Sequence, residues 1–202
     1  MKITWYGHAC FKLEFQSGSV VLDPYSEGSV PGLSLPPLEA DIVLCSHGHA
    51  DHGAAETVKL TGRTPALRVE RLDAWHDEVK GEKRGANTIH IIEGDGLRAA
   101  HLGDLGHELT PGQIGAIGRL DALMIPVGGY YTIDAAAAKR TADAIGATVT
   151  IPMHYRGDGF GYEVLTPVSD FAALCDNVEY AESSIVLKSG GSRKTIVFKL
   201  VK

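Results

Sequence analysis

Cysteine is scarce in this chain: Cys10, Cys45 and Cys175 are its only three, an odd number with no Cys-x-x-Cys pair. That excludes a disulfide framework and a thiolate zinc site, and it points to a reducing, cytoplasmic setting. Long apolar runs are also missing, so no membrane-spanning helix and no membrane partner are expected. The opening MKITWYGHACFKLEF breaks its apolar character at Gly7 and His8 and offers no small-residue cleavage site, so no secretory leader is expected either. Positive charge is short, with 19 Lys+Arg against 25 Asp+Glu and a formal net charge of −6. A protein that tracks a phosphate backbone carries the opposite balance, so nucleic acid is not the expected partner. Disorder is excluded by 44% hydrophobic and 22% charged residues, values typical of folded globular proteins.

Two residue types are abundant instead. The chain has 24 Gly and nine His in 202 residues, and the histidines are what need explaining. Their placement follows from the rhythm of the sequence. Phe11, Leu13 and Phe15 alternate with Lys12 and Glu14, and a Gln16-Ser17-Gly18 turn leads to Ser19–Asp23, which predicts a hairpin. Residues 24–40 hold four Pro and two Gly and read as a surface loop. Asp41–Cys45 is short and almost wholly apolar, as in a buried central strand. Ala54–Leu60 is expected as a short helix, 64–75 as a strand, and 88–102 as a hairpin turning at Gly94-Asp95-Gly96. Pro111 opens a helix, Ala122–Val127 and Thr148–Ile151 are strands, and Asp134–Ile145 is a helix stopped by Gly146. Ser184–Leu187 and Thr195–Leu200 close the chain as strands. With no linker between the halves, residues 1–202 are expected to form one α/β domain.

The sharpest signal is His47-Gly48-His49-Ala50-Asp51-His52, directly after the buried strand. Period-two spacing sends His47 and His49 to one side of an extended chain, where both reach one ion, while Asp51 and His52 diverge at the following turn and address a second.

This His-x-His-x-Asp-His pattern resembles the hallmark of the metallo-β-lactamase superfamily. Trp5-Tyr6-Gly7-His8-Ala9, Val21-Leu22-Asp23-Pro24, His101-Leu102-Gly103-Asp104, Ile125–Gly129 and Ile151–Tyr155 extend the likeness along nearly the whole chain, toward the small branch related to ascorbate-6-phosphate lactonase. The resemblance implies a four-layer αββα sandwich with a dinuclear metal site at one edge of two packed sheets. It assigns His47 and His49 to a first ion, Asp51, His52 and His154 to a second, and Asp104 as the bridging carboxylate. The third ligand of the first ion is His76 or His101; the family order favours His76. Nitrogen and oxygen ligands with two carboxylates admit Zn2+, Mn2+ or Fe2+, with zinc the default.

Two divalent ions with two ligand carboxylates leave a net positive core that drives a bridging water to hydroxide near neutral pH. Asp51 is the candidate to orient that nucleophile and take its proton, which makes it the catalytic residue. The expected activity is hydrolysis of a small anionic ester, lactone, thioester or phosphoester. His8, His107 and Tyr155 are candidate substrate-binding residues, and Asp23 is placed to fix a ligand histidine through its ring N–H. His90 reads as a strand-face residue, Cys45 as a small hydrophobe, and Arg63, Arg68 and Arg71 as a solvated face. Two other readings remain open: a phosphodiesterase or nuclease of the same fold, opposed by the net charge, and a regulatory module that binds metal without turnover. A homo-oligomer is compatible with the sequence.

Overall fold

The computed structural model describes residues 1–200. In chain order the first strands are β1 (Lys2–Trp5), β2 (Phe11–Phe15), β3 (Gly18–Leu22), β4 (Leu38–Ala40), β5 (Ile42–Leu44) and β6 (Val58–Leu60). Then come β7 (Arg68–Trp75), β8 (Ala86–Gly94), β9 (Leu97–His101), helix α1 (Pro111–Ile117), β10 (Ala122–Pro126), α2 (Ala135–Ile145) and β11 (Val149–Met153). Helix α3 (Val168–Ala172) and strands β12 (Val178–Ala181), β13 (Ser184–Val186) and β14 (Lys194–Phe198) complete the order.

The strands build a five-stranded sheet, β13-β1-β2-β3-β5, a seven-stranded sheet, β12-β14-β11-β10-β9-β8-β7, and a two-stranded β4-β6 ribbon. Alternation explains how the two large sheets meet. Ile3, Trp5, Phe11, Leu13, Val20 and Leu22 project inward from the first sheet into an apolar cluster shared with Ile92, Ala99, Met124 and Ile151 of the second. Strands β10 and β11 are buried at every position because their other face lies under α2 and α3. The helices obey local rules: Thr110 and Gln113 form a capping box at the start of α1, Asp134 caps α2, and Gly146 ends α2 in the left-handed conformation.

The αββα sandwich differs from the expectation in its outermost layer. Ala54–Leu60 is not a helix; it is a 3-10 turn at Ala55–Thr57 followed by β6. The Thr57 hydroxyl donates to the Ala54 carbonyl at 2.7 Å and ends the turn, and β6 pairs in parallel with β4 inside the expected loop. The reason is burial. Val21, on the outward face of β3, needs cover, and it finds it in a second cluster with Tyr25, Val30, Leu33, Leu38, Ala40 and Val58. Ribbon and proline-rich segment together replace a helix on this side. The remaining strands, Val178–Ala181 and Lys2–Trp5, and helix Val168–Ala172 are too short for periodicity to announce.

Chain direction places the site. Strands β9, β10 and β11 are parallel, and β7 runs with β9 because β8 is antiparallel to both. Likewise β1, β3 and β5 share one direction, with β2 antiparallel between β1 and β3. The C-terminal ends of β7, β9, β10 and β11 therefore fall on one edge of their sheet, and those of β1, β3 and β5 on one edge of theirs, so the segments that follow them can converge. Among the described residues no helix is long and apolar enough to cross a membrane.

Ile89→Ala, at a fully buried position of β8, is expected to cost about 2–5 kcal/mol, whereas Val186→Ala, 69% exposed on β13, is expected to stay within about 0.5 kcal/mol of wild type. Urea unfolding of both variants measures the contrast.

Candidate metal centre

The segments leaving those strand ends carry the histidines. Chain turns at Asp23, His8 and His154 take positive φ values of 45°, 50° and 55°, a conformation uncommon outside glycine and held only where surrounding contacts enforce it. Asp23 shows what enforces it. Its buried carboxylate accepts hydrogen bonds from the Ser46 amide at 2.7 Å, the Ser46 hydroxyl at 2.6 Å and His52 Nδ1 at 2.8 Å. His52 thus carries a proton on Nδ1 and turns Nε2 toward Asp104 Oδ1 at 3.3 Å. The Ser46 hydroxyl has given its one proton to Asp23, so its oxygen, 3.0 Å from His47 Nδ1, accepts from that ring and frees His47 Nε2 in turn. His76 Nδ1 donates to the Tyr131 carbonyl at 3.2 Å, and its Nε2 stands 3.2 Å from Asp104 Oδ2.

Asp104 itself is set by a close backbone approach. Its amide donates to Asn87 Oδ1 at 2.9 Å, while Asn87 Nδ2 donates to the Leu102 carbonyl at 2.9 Å. A Cβ on the preceding Gly103 would lie 2.3 Å from Asn87 Oδ1 and 2.4 Å from Ser46 Cβ, so only glycine fits there.

Ligand atoms gather in three overlapping groups: His47, His49 and His76; His8, Asp51, His52 and His154; and His47, His52 and Asp104 between them. Within this gathering His47 Nε2, His52 Nε2, both ring nitrogens of His154 and Asp104 Oδ1 are buried without a hydrogen-bond partner. Each such group costs about 1–3 kcal/mol unless something completes it, and lone pairs converging around two carboxylates are completed by cations. The donor set, imidazole and carboxylate only, suits a borderline divalent ion. Electrostatics agree for two of the rings, whereas at His52 the carboxylates of Asp104 and Asp23 outweigh burial and raise the pKa well above the ordinary imidazole value, so a cation would displace a proton there. Burial pushes His47 down to about 4 and, with help from His154, His8 to about 3, so both rings are neutral and able to donate lone pairs. Burial opposes ionisation of Asp104, but His154 and His52 hold its carboxyl well below the ordinary range.

The family model of the beta-lactamase superfamily domain matches residues 2–154. The chain belongs to this superfamily. A UPF0173 metal-dependent hydrolase of Archaeoglobus fulgidus is 33% identical, with 77% of this chain and 83% of the relative covered. A second relative of that name, from Thermoplasma volcanium, is 29% identical with 77% and 83% covered. Among solved structures, a Thermotoga maritima protein assigned to the zinc-dependent hydrolases of the metallo-β-lactamase superfamily superposes with a TM-score of 0.80 at 36% identity, covering 98% of this chain and 97% of that one. This chain is thus a metal-dependent hydrolase of the metallo-β-lactamase superfamily.

In this metallo-β-lactamase fold the structure brings together His47, His49, Asp51, His52, His76, Asp104 and His154, with His8 beside them. His101 is turned away: its Nε2 donates to the Ala9 carbonyl at 2.9 Å, and its Nδ1 accepts from the Gly103 amide at 3.2 Å. His90 faces His101 across the β8–β9 pair. Two expected substrate contacts fall elsewhere. Tyr155 is buried against Trp5 and Phe160, and its hydroxyl points to the Phe198 carbonyl, so it supports the core. His107 accepts from the Trp75 amide at 3.1 Å through Nε2 and donates to the Glu108 carbonyl at 2.9 Å through Nδ1, which uses both ring nitrogens on backbone.

The cleft above the centre encloses about 350 Å³, with His49, Asp51, His76 and Asp104 on its floor. Its walls are Lys83, Arg84, Tyr131 and Tyr162. Tyr162 carried no signal in the sequence, since it lies in an irregular loop 111 residues from its partner: its hydroxyl reaches Asp51 Oδ2 at 3.2 Å and the Ser29 carbonyl at 2.6 Å.

Asp23→Leu removes both acceptor oxygens, and with them the bond that fixes the His52 tautomer, at similar side-chain size. Its zinc affinity is expected to fall by about 10- to 100-fold, read by competition with a coloured chelator; unchanged affinity would refute the tautomer argument.

Proposed function

We propose that this hydrolase cleaves a small anionic ester, lactone, thioester or phosphoester at a centre of two divalent ions, zinc first among them. The observation that carries the proposal is the placement of Asp104, whose Oδ2 lies 3.2 Å from both His76 Nε2 and His154 Nε2 while Oδ1 lies 3.3 Å from His52 Nε2. A carboxylate between two histidine groups suits a pair of ions better than a single one. His47, His49 and His76 would hold one ion, Asp51, His52 and His154 the other, and Asp104 both. When bound, such a pair supplies an acidified water as nucleophile and a Lewis acid for the substrate oxygen.

The chain's own groups do the rest. Asp51, partly open to the cleft, is the acceptor for the proton released by the attacking water. His8 Nε2 lies 3.4 Å from Asp51 Oδ2 and, kept neutral by burial, helps orient that carboxylate. The Tyr162 phenol keeps its proton, since burial and the Asp51 carboxylate both raise its pKa, and it shares that one proton between the Ser29 carbonyl at 2.6 Å and Asp51 Oδ2 at 3.2 Å.

Purified protein is expected to hold close to two metals per chain by elemental analysis and to turn over at least one member of a lactone, thioester, phosphodiester and phosphomonoester screen. Asp51→Ala and His154→Ala should each lower kcat/KM by about 100-fold or more and reduce metal content. Stoichiometry well below two in an undepleted preparation, or turnover indifferent to both changes, would overturn the mechanism.

A further inference from the structure

The turn between β7 and β8 spans residues 77–85 and is organised around one side chain. The buried Asp77 carboxylate accepts backbone N–H groups from Val79 at 3.0 Å and Gly81 at 2.7 Å through Oδ1, and from Lys83 at 3.0 Å and Arg84 at 2.8 Å through Oδ2. The turn is closed by the His76 amide, which donates to the Gly85 carbonyl at 3.1 Å. Asp77 thereby fixes the main chain of Lys83 and Arg84 and spends its acceptors on backbone rather than on the neighbouring guanidinium.

Arg84 is the consequence. Its guanidinium carbon sits 5.6 Å above the Tyr131 ring, and among the described residues no carboxylate lies within ion-pair distance of it, although the side chain is half-buried on the cleft wall. An aromatic face attracts the cation without accepting its N–H groups in hydrogen bonds, so the guanidinium donors remain available to an anion. The cleft carboxylates do not compete, because Asp51 and Asp104 face histidines. Lys83 adds a second cation at the rim, paired with Glu78 on the same turn. The platform is also tied to the floor of the cleft: the Tyr131 residue that carries Arg84 accepts His76 Nδ1–H on its carbonyl. Tyr131 thus touches both the guanidinium and a histidine of the centre.

We propose that Arg84, assisted by Lys83, is the specificity-determining group of the cleft and binds an oxyanion, carboxylate or phosphate, on the part of the substrate that is not cleaved. This rests on the hydrolase reading above and narrows its substrates to those with an anionic group remote from the scissile bond. A guanidinium serving only to cover the turn would favour no such group.

The test compares mono-4-nitrophenyl adipate with 4-nitrophenyl hexanoate, esters of equal chain length that differ in a terminal carboxylate, on wild type, Arg84→Met and Arg84→Lys at matched metal content. A second arm titrates inorganic phosphate and adipate into the same three proteins by calorimetry. Wild type should favour the anionic ester about tenfold or more in kcat/KM. Arg84→Met should erase that preference through KM, lowering kcat/KM for the anionic ester about tenfold more than for the neutral one, while weakening the tighter of the two free anions about tenfold; Arg84→Lys should recover part of both. Whichever anion binds more tightly to wild type names the oxyanion. Equal losses on both esters, or anion binding indifferent to Arg84→Met, would overturn the proposal. If wild type cleaves neither ester, hydrolysis of these esters is what fails, and the titration still decides whether Arg84 receives an anion.

Discussion

The hydrogen bonds gathered by Asp23 govern more of this molecule than any other contact. A carboxylate wholly removed from solvent is costly to keep ionised, yet burial is outweighed here by nearby His101, His52 and Ser46, which bring its pKa down to about 2. The charge then works through directional bonds. It pins the end of β3 to the segment after β5, since Ser46 is the residue that precedes the first proposed ligand. It decides which nitrogen of His52 points at Asp104, and through the Ser46 hydroxyl it decides the same for His47. One acceptor thus orients rings belonging to both histidine groups, a dependence that the proposed ligands alone do not reveal.

How much of this was legible in the sequence depends on distance along the chain. The His47–His52 run announces itself because its members are adjacent, and the apolar strand before it supplies the structural context. Alternation gave the β2–β3 and β8–β9 hairpins, and helical spacing with a terminal Gly gave α2. Where local pattern failed, tertiary cover had decided the matter: Ala54–Leu60 has a helical composition, but the outward face of β3 needed Val58 in an extended ribbon. Tyr155 misled because adjacency to His154 in sequence means opposite directions at a strand end, one side chain toward the cleft and the next into the core. Tyr162, Arg84 and Asn87 were silent for the complementary reason. Each meets the site across a long loop or a neighbouring strand, and no spacing rule reaches that far.

Strain and function coincide along the cleft. Among the described residues six non-glycine positions take positive φ, and His8, Asp23, Tyr130 and His154 are four of them. All four lie in segments that leave the C-terminal ends of strands and must turn sharply before the chain departs. Rigid sheets make such turns affordable: β10 and β11, buried along their whole length, anchor the segments bearing Tyr130 and His154.

The converging strand ends have a consequence for how the protein comes into being. Proposed ligands run from His47 to His154, with His8 beside them, and the sheet that carries His8 is completed by β13, whose residues Ser184–Val186 pair with β1 near the chain's other end. A chain emerging from the ribosome can present the His47–His52 run early, but only as a flexible segment without Asp104, His154 or the sheet edge that orients them. A cation that recognises the assembled centre and not the open chain would select the finished fold by mass action. Metal capture in this architecture would then mark the end of biosynthetic folding, and an ion held tightly would itself certify that both sheets have closed.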